Sequence, residues 1–158
     1  MIQRIDCYCG SKKKYRYCCE PYLSDKKIPQ TAEQLMRSRY TAFCRKDIQY
    51  LIDTAISSED RSTDEQELAK TMQKTTWLGL LVVSTEQGKK QDKVGFVEFV
   101  AAFEIDKPRQ HHERSRFIKN NRRWFYIDGE ILPDLILKGK VDCWCGSGKK
   151  YRNCHQNS

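Results

Sequence analysis

Two stretches of the same pattern, one near each end of the chain, constrain this sequence more than anything else in it. Cys7-Tyr8-Cys9-Gly10-Ser11-Lys12-Lys13-Lys14-Tyr15-Arg16-Tyr17-Cys18-Cys19 aligns without a gap on Cys143-Trp144-Cys145-Gly146-Ser147-Gly148-Lys149-Lys150-Tyr151-Arg152-Asn153-Cys154-His155. Both read Cys-x-Cys, eight residues, then Cys followed by Cys or His. A segment this short buries too little apolar surface to fold alone, so the four soft side chains of each copy point to a metal ion as its core. Zinc suits them, because it takes four sulfur or imidazole ligands in a tetrahedron. The Gly-Ser step after the first pair lets the chain reverse. The expected ligands are therefore Cys7, Cys9, Cys18 and Cys19 at one end and Cys143, Cys145, Cys154 and His155 at the other. Four protein ligands leave no open position, which makes each site structural rather than catalytic. Ligand type alone also admits iron or another soft metal, and the thiols could instead be free and reduced.

A disulfide framework is the competing use of eight cysteines. It fits poorly, since seven lie in the two clusters, Cys18 and Cys19 are adjacent, and Met1 to Asp6 contains no apolar export signal. No apolar run approaches the ~20 residues of a membrane span. The expectation is a cytoplasmic protein with no membrane attachment. The formal charge of +8 counts every thiol as neutral. A four-thiolate zinc site carries about −2 and a three-thiolate, one-histidine site about −1, so the loaded chain sits near +5. That balance permits an acidic protein or nucleic acid as partner and equally permits mere solubility.

Both ends resemble the SEC-C motif, the zinc-binding tail of the SecA preprotein translocase ATPase, whose usual wording is Cys-Pro-Cys-Gly-Ser-Gly-Lys-Lys-Tyr-Lys-Lys-Cys-Cys or -Cys-His. Tyr8 and Trp144 replace the usual proline, and Lys12 replaces the second glycine. If that position needs positive φ, Lys12 costs on the order of 1 kcal/mol.

Between the knuckles the pattern changes twice. Thr31 with Gln34 opens a helix as a capping box, and Ala32, Met36, Tyr40 and Phe43 continue it to about Arg45. Asp47 caps a second helix whose stripe is Ile48, Leu51, Ile52, Ala55 and Ile56. Ser57 to Asp60 reads as a break, and Thr63 to Gln73 as a third helix with Leu68 and Met72 inward. Strands follow at Trp77 to Ser84, Val94 to Glu104, His112 to Ile118 and Arg123 to Ile127, joined by hairpin-like connections. In the second strand Val97, Phe99, Ala101 and Phe103 share one face, and Phe96, Glu98, Val100 and Ala102 the other. Helices followed by an antiparallel meander make an α+β domain.

The segments Leu35-Met36-Arg37-Ser38-Arg39-Tyr40-Thr41-Ala42-Phe43, Val97-Glu98-Phe99-Val100-Ala101, His112-Glu113-Arg114-Ser115-Arg116-Phe117 and Trp124-Phe125-Tyr126-Ile127-Asp128-Gly129, together with both knuckles, resemble the YchJ family of uncharacterised bacterial proteins. The resemblance implies a middle domain of the nuclear-transport-factor-two-like kind, a curved, cone-shaped sheet wrapped around helices. It divides the chain into a knuckle over 1–22, a middle domain over 28–135 and a second knuckle over 140–158. It implies no established activity.

Two functions from different classes follow, beside a purely structural or assembly role that a filled cone and a large flat apolar patch would favour. In the first, the chain is a zinc-binding adaptor whose knuckles dock on an acidic protein or on a ribosome or RNA surface. Each presents cations beside an aromatic, Lys13, Lys14, Tyr15 and Arg16, then Lys149, Lys150, Tyr151 and Arg152. The SecA motif, which they resemble, recognises an acidic chaperone surface. Tyr15 and Tyr151 could equally pack beneath the metal. In the second, the middle domain binds a small molecule or is an isomerase- or dehydratase-like enzyme. Its pocket candidates are Glu98, His112 and Tyr126, with His111, Glu113 and Arg114 nearby. Against that stands a plainer reading. Glu98 pairs across the sheet with Arg114 or Arg116, the two histidines sit solvated at a hairpin edge, and Arg37 and Arg39 are helix-surface charges, with a pocket or ion-pair role as the alternative for both. Cys44, alone on its helix, reads as packing.

Overall fold

The structure, a computed structural model, describes residues 6–56, 61–145 and 147–156, and for 61–63 the backbone alone. Four helices come first. The short α1 (Glu20–Leu23) leaves the first knuckle, and α2 (Ala32–Arg45), α3 (Ile48–Asp53) and α4 (Arg61–Lys74) follow. Four strands then form an antiparallel meander, β1 (Thr76–Gln87), β2 (Val94–Glu104), β3 (Pro108–Asn120) and β4 (Arg123–Ile131), in sheet order β1-β2-β3-β4. The α+β class and the curved antiparallel sheet expected from the sequence are present. Ser57 to Asp60, expected as a break, lie outside the described residues.

The helix starts follow their capping chemistry. Thr31 Oγ1 accepts from the Gln34 amide at 3.1 Å, and Asp47 Oδ1 accepts from the Tyr50 amide at 3.1 Å. The Gln34 side chain reaches one residue further back than a capping box requires, accepting from the Gln30 amide at 2.7 Å. The stripe assigned to α3 is too long. The helix ends at Asp53, and Ala55 and Ile56 instead lie alongside β4. The Ile56 amide donates to Tyr126 O, and the Tyr126 amide to Thr54 O, both at 2.9 Å. A short apolar stretch has the same periodicity in either setting, and here the open β4 edge takes it.

The sheet's inner face packs on α2. Val97, Phe99, Ala101, Phe117 and Trp124 form one cluster with Ala32, Leu35, Met36 and Tyr40. Met72 of α4 joins Ala42 and Leu51 in a second cluster, with Leu68 packed against it. Irregularities in β1 between Trp77 and Gly79 and between Val82 and Ser84 reset its alternation. Trp77, Leu80 and Val82 therefore all pack toward the inner cluster, although strict period 2 would separate Trp77 from the other two. Such bulges also bend a strand, which suits a sheet that curves around helices. At the β1–β2 turn the start of α2 approaches closely, with the Ala32 amide donating to Gly88 O at 2.9 Å. A Cβ on Gly95 would stand 2.4 Å from Gly88 Cα and 2.9 Å from Ala32 Cβ, so this contact requires glycine.

Candidate metal centres and the central cavity

Each knuckle is one tight turn closed by a 3-10 turn. Cys7 N donates to Lys13 O at 2.7 Å and Cys143 N to Lys149 O at 2.8 Å. The 3-10 turns are Tyr15–Tyr17 and Tyr151–Asn153. Positive φ falls on Lys12 (62°) in the first copy and on Gly148 (79°) in the second, so Lys12 does occupy a left-handed position. Ser11 and Ser147 play matching parts. Each hydroxyl accepts from an amide two residues on at 3.2 Å and lies beside the third cysteine, 3.1 Å from Cys18 Sγ and 3.5 Å from Cys154 Sγ.

The side chains converge as the spacing implied. In each group the four ligand-type atoms lie within 4.8 Å of one another. A tetrahedral zinc with sulfur at 2.3 Å and imidazole at 2.0 Å sets S–S edges of about 3.8 Å and S–N edges of about 3.5 Å. The edges here are 3.6 Å for Cys9–Cys18, 3.9 Å for Cys18–Cys19, 3.5 Å for Cys145–Cys154, 3.3 Å for Cys143 to His155 Nδ1 and 3.1 Å for Cys154 to His155 Nδ1. His155 turns Nδ1 inward while its ring lies 4.7 Å from that of Trp144, the residue in the place of the motif's proline. No cysteine is in a disulfide. Donation from Cys19 and Cys7 pulls the Cys9 thiol far below its ordinary range, while burial pushes Cys18 up to about 11. A thiolate already favoured among closely packed thiols is a prepared metal ligand. Both groups can hold a metal ion.

The copies differ in what surrounds them. The first is bonded into the middle domain. Arg37 Nη1 donates to Cys9 O at 2.7 Å, Cys7 Sγ lies 3.8 Å from Thr41 Oγ1, and Leu80 and Leu23 pack on the cysteines. Arg37 is thus a strut and not a surface charge. The second builds its core from its own neighbourhood, Leu137, Trp144, Tyr151 and its cysteines. Tyr151 is buried, and Tyr15 is half-buried beneath the Arg45 guanidinium at 4.8 Å. Both tyrosines are therefore packing residues, and the exposed cations are Lys12, Lys13, Lys14 and Arg16, then Lys149, Lys150 and Arg152, with Tyr17 exposed beside Arg16.

Between the sheet's inner face and the helices lies a cavity of about 470 Å³. The proposed pocket residues separate around it. Tyr126 lines it. Glu98 and His112 belong to the opposite face of the sheet, where His112 Nε2 lies 2.8 Å from Glu98 Oε1 and its Nδ1 2.6 Å from Pro133 O. Glu98 also accepts from Ser84 Oγ at 3.1 Å, whereas Arg114 pairs with Glu86 and Arg116 with Asp128. The histidines stand mid-strand in β3, not at its end, because that strand begins at Pro108.

Of the cavity's polar end, His111, Glu113 and Tyr126 are among the candidates read from the sequence, whereas their grouping with Ser115 and Arg39 is not. Alternation turns His111, Glu113 and Ser115 inward, opposite Ala101, Phe99 and Val97. Glu113 is buried and accepts from Ser115 Oγ at 2.7 Å and Tyr126 OH at 3.1 Å, with His111 Nε2 at 2.6 Å from its other oxygen. Burial opposes its charge, yet these bonds and His111 hold its carboxyl below the ordinary range. Burial and the Glu113 charge push Tyr126 upward. Arg39, read as a helix-surface charge with a pocket or ion-pair role as the alternative, turns inward to the cavity. Nη1 donates to Leu51 O at 2.8 Å and Thr54 Oγ1 at 2.7 Å, the guanidinium lies 4.9 Å from the Tyr126 ring centroid, and burial lowers its pKa to about 10. The inward parity of β3 was the signal available to find this cluster, since it follows from pairing with the apolar face of β2.

Fold and motif together define a SEC-C-motif protein built on a nuclear-transport-factor-two-like domain. The family model described as "YchJ, middle NTF2-like domain" matches residues 31–129, and that of the SEC-C motif matches 142–157. A UPF0225 protein of Enterobacter sp. (strain 638) is 44% identical over 149 residues, 94% of this chain and 95% of that protein. Another, from Vibrio cholerae, is 40% identical over 152 residues, 95% and 99% of the two chains. The chain belongs to this YchJ-like UPF0225 family. Among solved structures, a SEC-C motif containing protein of Rhodopseudomonas palustris superposes with a TM-score of 0.70 at 33% identity, covering 81% of this chain and 99% of its own. A SEC-C motif containing protein of Psychrobacter arcticus gives 0.67 at 30%, covering 97% and 95%.

Proposed function

We propose that the chain is a two-zinc interaction protein of the cytoplasm, in which the first knuckle completes the middle domain and the second docks on an acidic protein. The observation that carries this is the unequal packing of two nearly identical turns. The first spends Cys9 O, Cys7 and Tyr15 on contacts with Arg37, Thr41 and Arg45. The second has a core of its own and exposes Lys149 and Arg152, while Lys150 is paired with Asp142 at 2.6 Å. Zinc is the metal that best fits closed tetrahedral sulfur and imidazole sites.

An acidic protein is favoured over RNA at this knuckle. Single-stranded nucleic acid is held largely by bases stacking on exposed rings, and here Tyr151 is buried and Trp144 lies against His155. The test is titration of zinc-loaded and chelated protein with a glutamate-rich peptide and with a ribosomal RNA fragment, across a salt series. The peptide should bind the loaded form with an affinity that falls as salt rises, and Lys149→Glu with Arg152→Glu should weaken it about tenfold or more. Salt-independent affinity, or none, contradicts electrostatic docking, and preference for the RNA fragment moves the partner to nucleic acid.

A further inference from the structure

We propose that the cavity beneath the sheet binds a small, largely apolar molecule carrying one carboxylate, with the carboxylate seated at Arg39. The space, about 470 Å³, falls in the range of small-molecule sites, which are mostly apolar with a few convergent polar groups. Its walls are of that kind, with Met36, Phe43, Trp77, Phe99 and Phe103 around the body and the Arg39, His111, Glu113 and Tyr126 cluster at one place on the lining.

The charge of the ligand follows from which polar groups are already satisfied. Glu113, the anion of the cluster, is engaged by Ser115, Tyr126 and His111, so most of its accepting capacity is used within the protein. Arg39 lies over the Tyr126 ring, and among the described residues it donates hydrogen bonds through Nη1 alone and has no carboxylate within ion-pair distance. Its remaining N–H groups are donors with charge behind them. Trp77, on the same lining, has a buried Nε1 with no hydrogen-bond partner among the described residues. The unmet capacity is thus donor capacity, joined to one positive charge. Water can serve it, but an anionic acceptor on an apolar body serves it and fills the aromatic walls together. A cationic ligand would meet Arg39 with like charge, and a neutral one would leave that charge unpaired.

The experiment is calorimetric titration of the full, metal-loaded chain with 4-phenylbutyrate, the alcohol 4-phenylbutanol and the amine 4-phenylbutylamine, all sharing one apolar body. The acid should saturate a single site and bind about tenfold or more tightly than the alcohol, with the amine weakest, as expected of charge-assisted bonds. Arg39→Leu should erase the acid's advantage, while Arg39→Lys should retain part of it. Ala101 is buried and lines the inner wall, and Ala101→Phe should abolish binding of acid and alcohol alike by filling the space. Because a filled variant can fail to fold, the unaltered chain provides a second measure. The indole N–H resonance of Trp77 should shift in step with the acid titration. Equal affinity for acid and alcohol, acid binding that survives Ala101→Phe in a folded protein, no acid binding, or an unmoved Trp77 resonance would each overturn the proposal.

Discussion

Lys12 sits where its motif usually places glycine, at a φ of 62°. An L-residue there is strained by roughly 1 kcal/mol. Lys12→Gly should therefore tighten the first knuckle, and release of its metal should require up to about fivefold more chelator, read by a zinc-sensitive dye. At the cavity, Gly129 makes room for a side chain rather than for a turn. A Cβ there would stand 1.8 Å from Glu113 Oε1. Gly129→Ala should displace that carboxylate and lower stability by about 1–3 kcal/mol in urea unfolding. Glu113 also sets a pH dependence. Its folded pKa lies below its ordinary value of 4.5, so its contribution is fully present above that value and lost as pH falls through the folded one. Glu113→Gln should flatten the decline in stability below pH 4.5, and an unchanged acid limb would contradict this account of its bonds. At this scale the sequence was legible where identity alone dictates chemistry, as in the cysteines, Thr31 and Asp47. It was misleading for Glu98, which stands out in an apolar strand yet is answered by His112 two residues from its expected partner Arg114. Which of several cross-strand neighbours a charge selects depends on rotamers and on the far side of the sheet, and Pro133 O, which positions His112, is remote in sequence.

Among the elements, order and type could be read from periodicity, and their limits could not. The α3 stripe ran on because Ala55 and Ile56 keep helical spacing while bonding to a strand edge. The inward side of β1 was hidden by its bulges, which no residue type in Trp77 to Ser84 announces. The matched knuckles show the same limit from the other side, since nearly identical turns have different surroundings. Arg37 and Thr41 of α2 touch the first, and nothing in its wording marks them as partners. Thermal unfolding should expose the asymmetry. Cys9→Ser should destabilise the middle domain by roughly 2 kcal/mol as buried contacts on α2 are lost, and Cys145→Ser should leave that transition nearly unchanged. Equal shifts would show that the two knuckles couple to the domain alike.

For the whole molecule, the fold sets two kinds of site apart. The metal groups are gathered from residues close in sequence, which is why they could be read from spacing. The cavity is assembled from α2, α4 and all four strands, so it exists only once the sheet has closed on the helices. No helix among the described residues is long and apolar enough to cross a membrane. Metal loading links the scales, because it converts thiols to charged ligands and lowers the formal charge of +8 to about +5. Native mass spectrometry of unchelated protein measures directly whether each knuckle grips one ion. The account predicts a mass increment of two zinc ions per chain, falling to one in Cys145→Ser. A chain free of metal, or one whose knuckle cysteines are paired as disulfides, would contradict it.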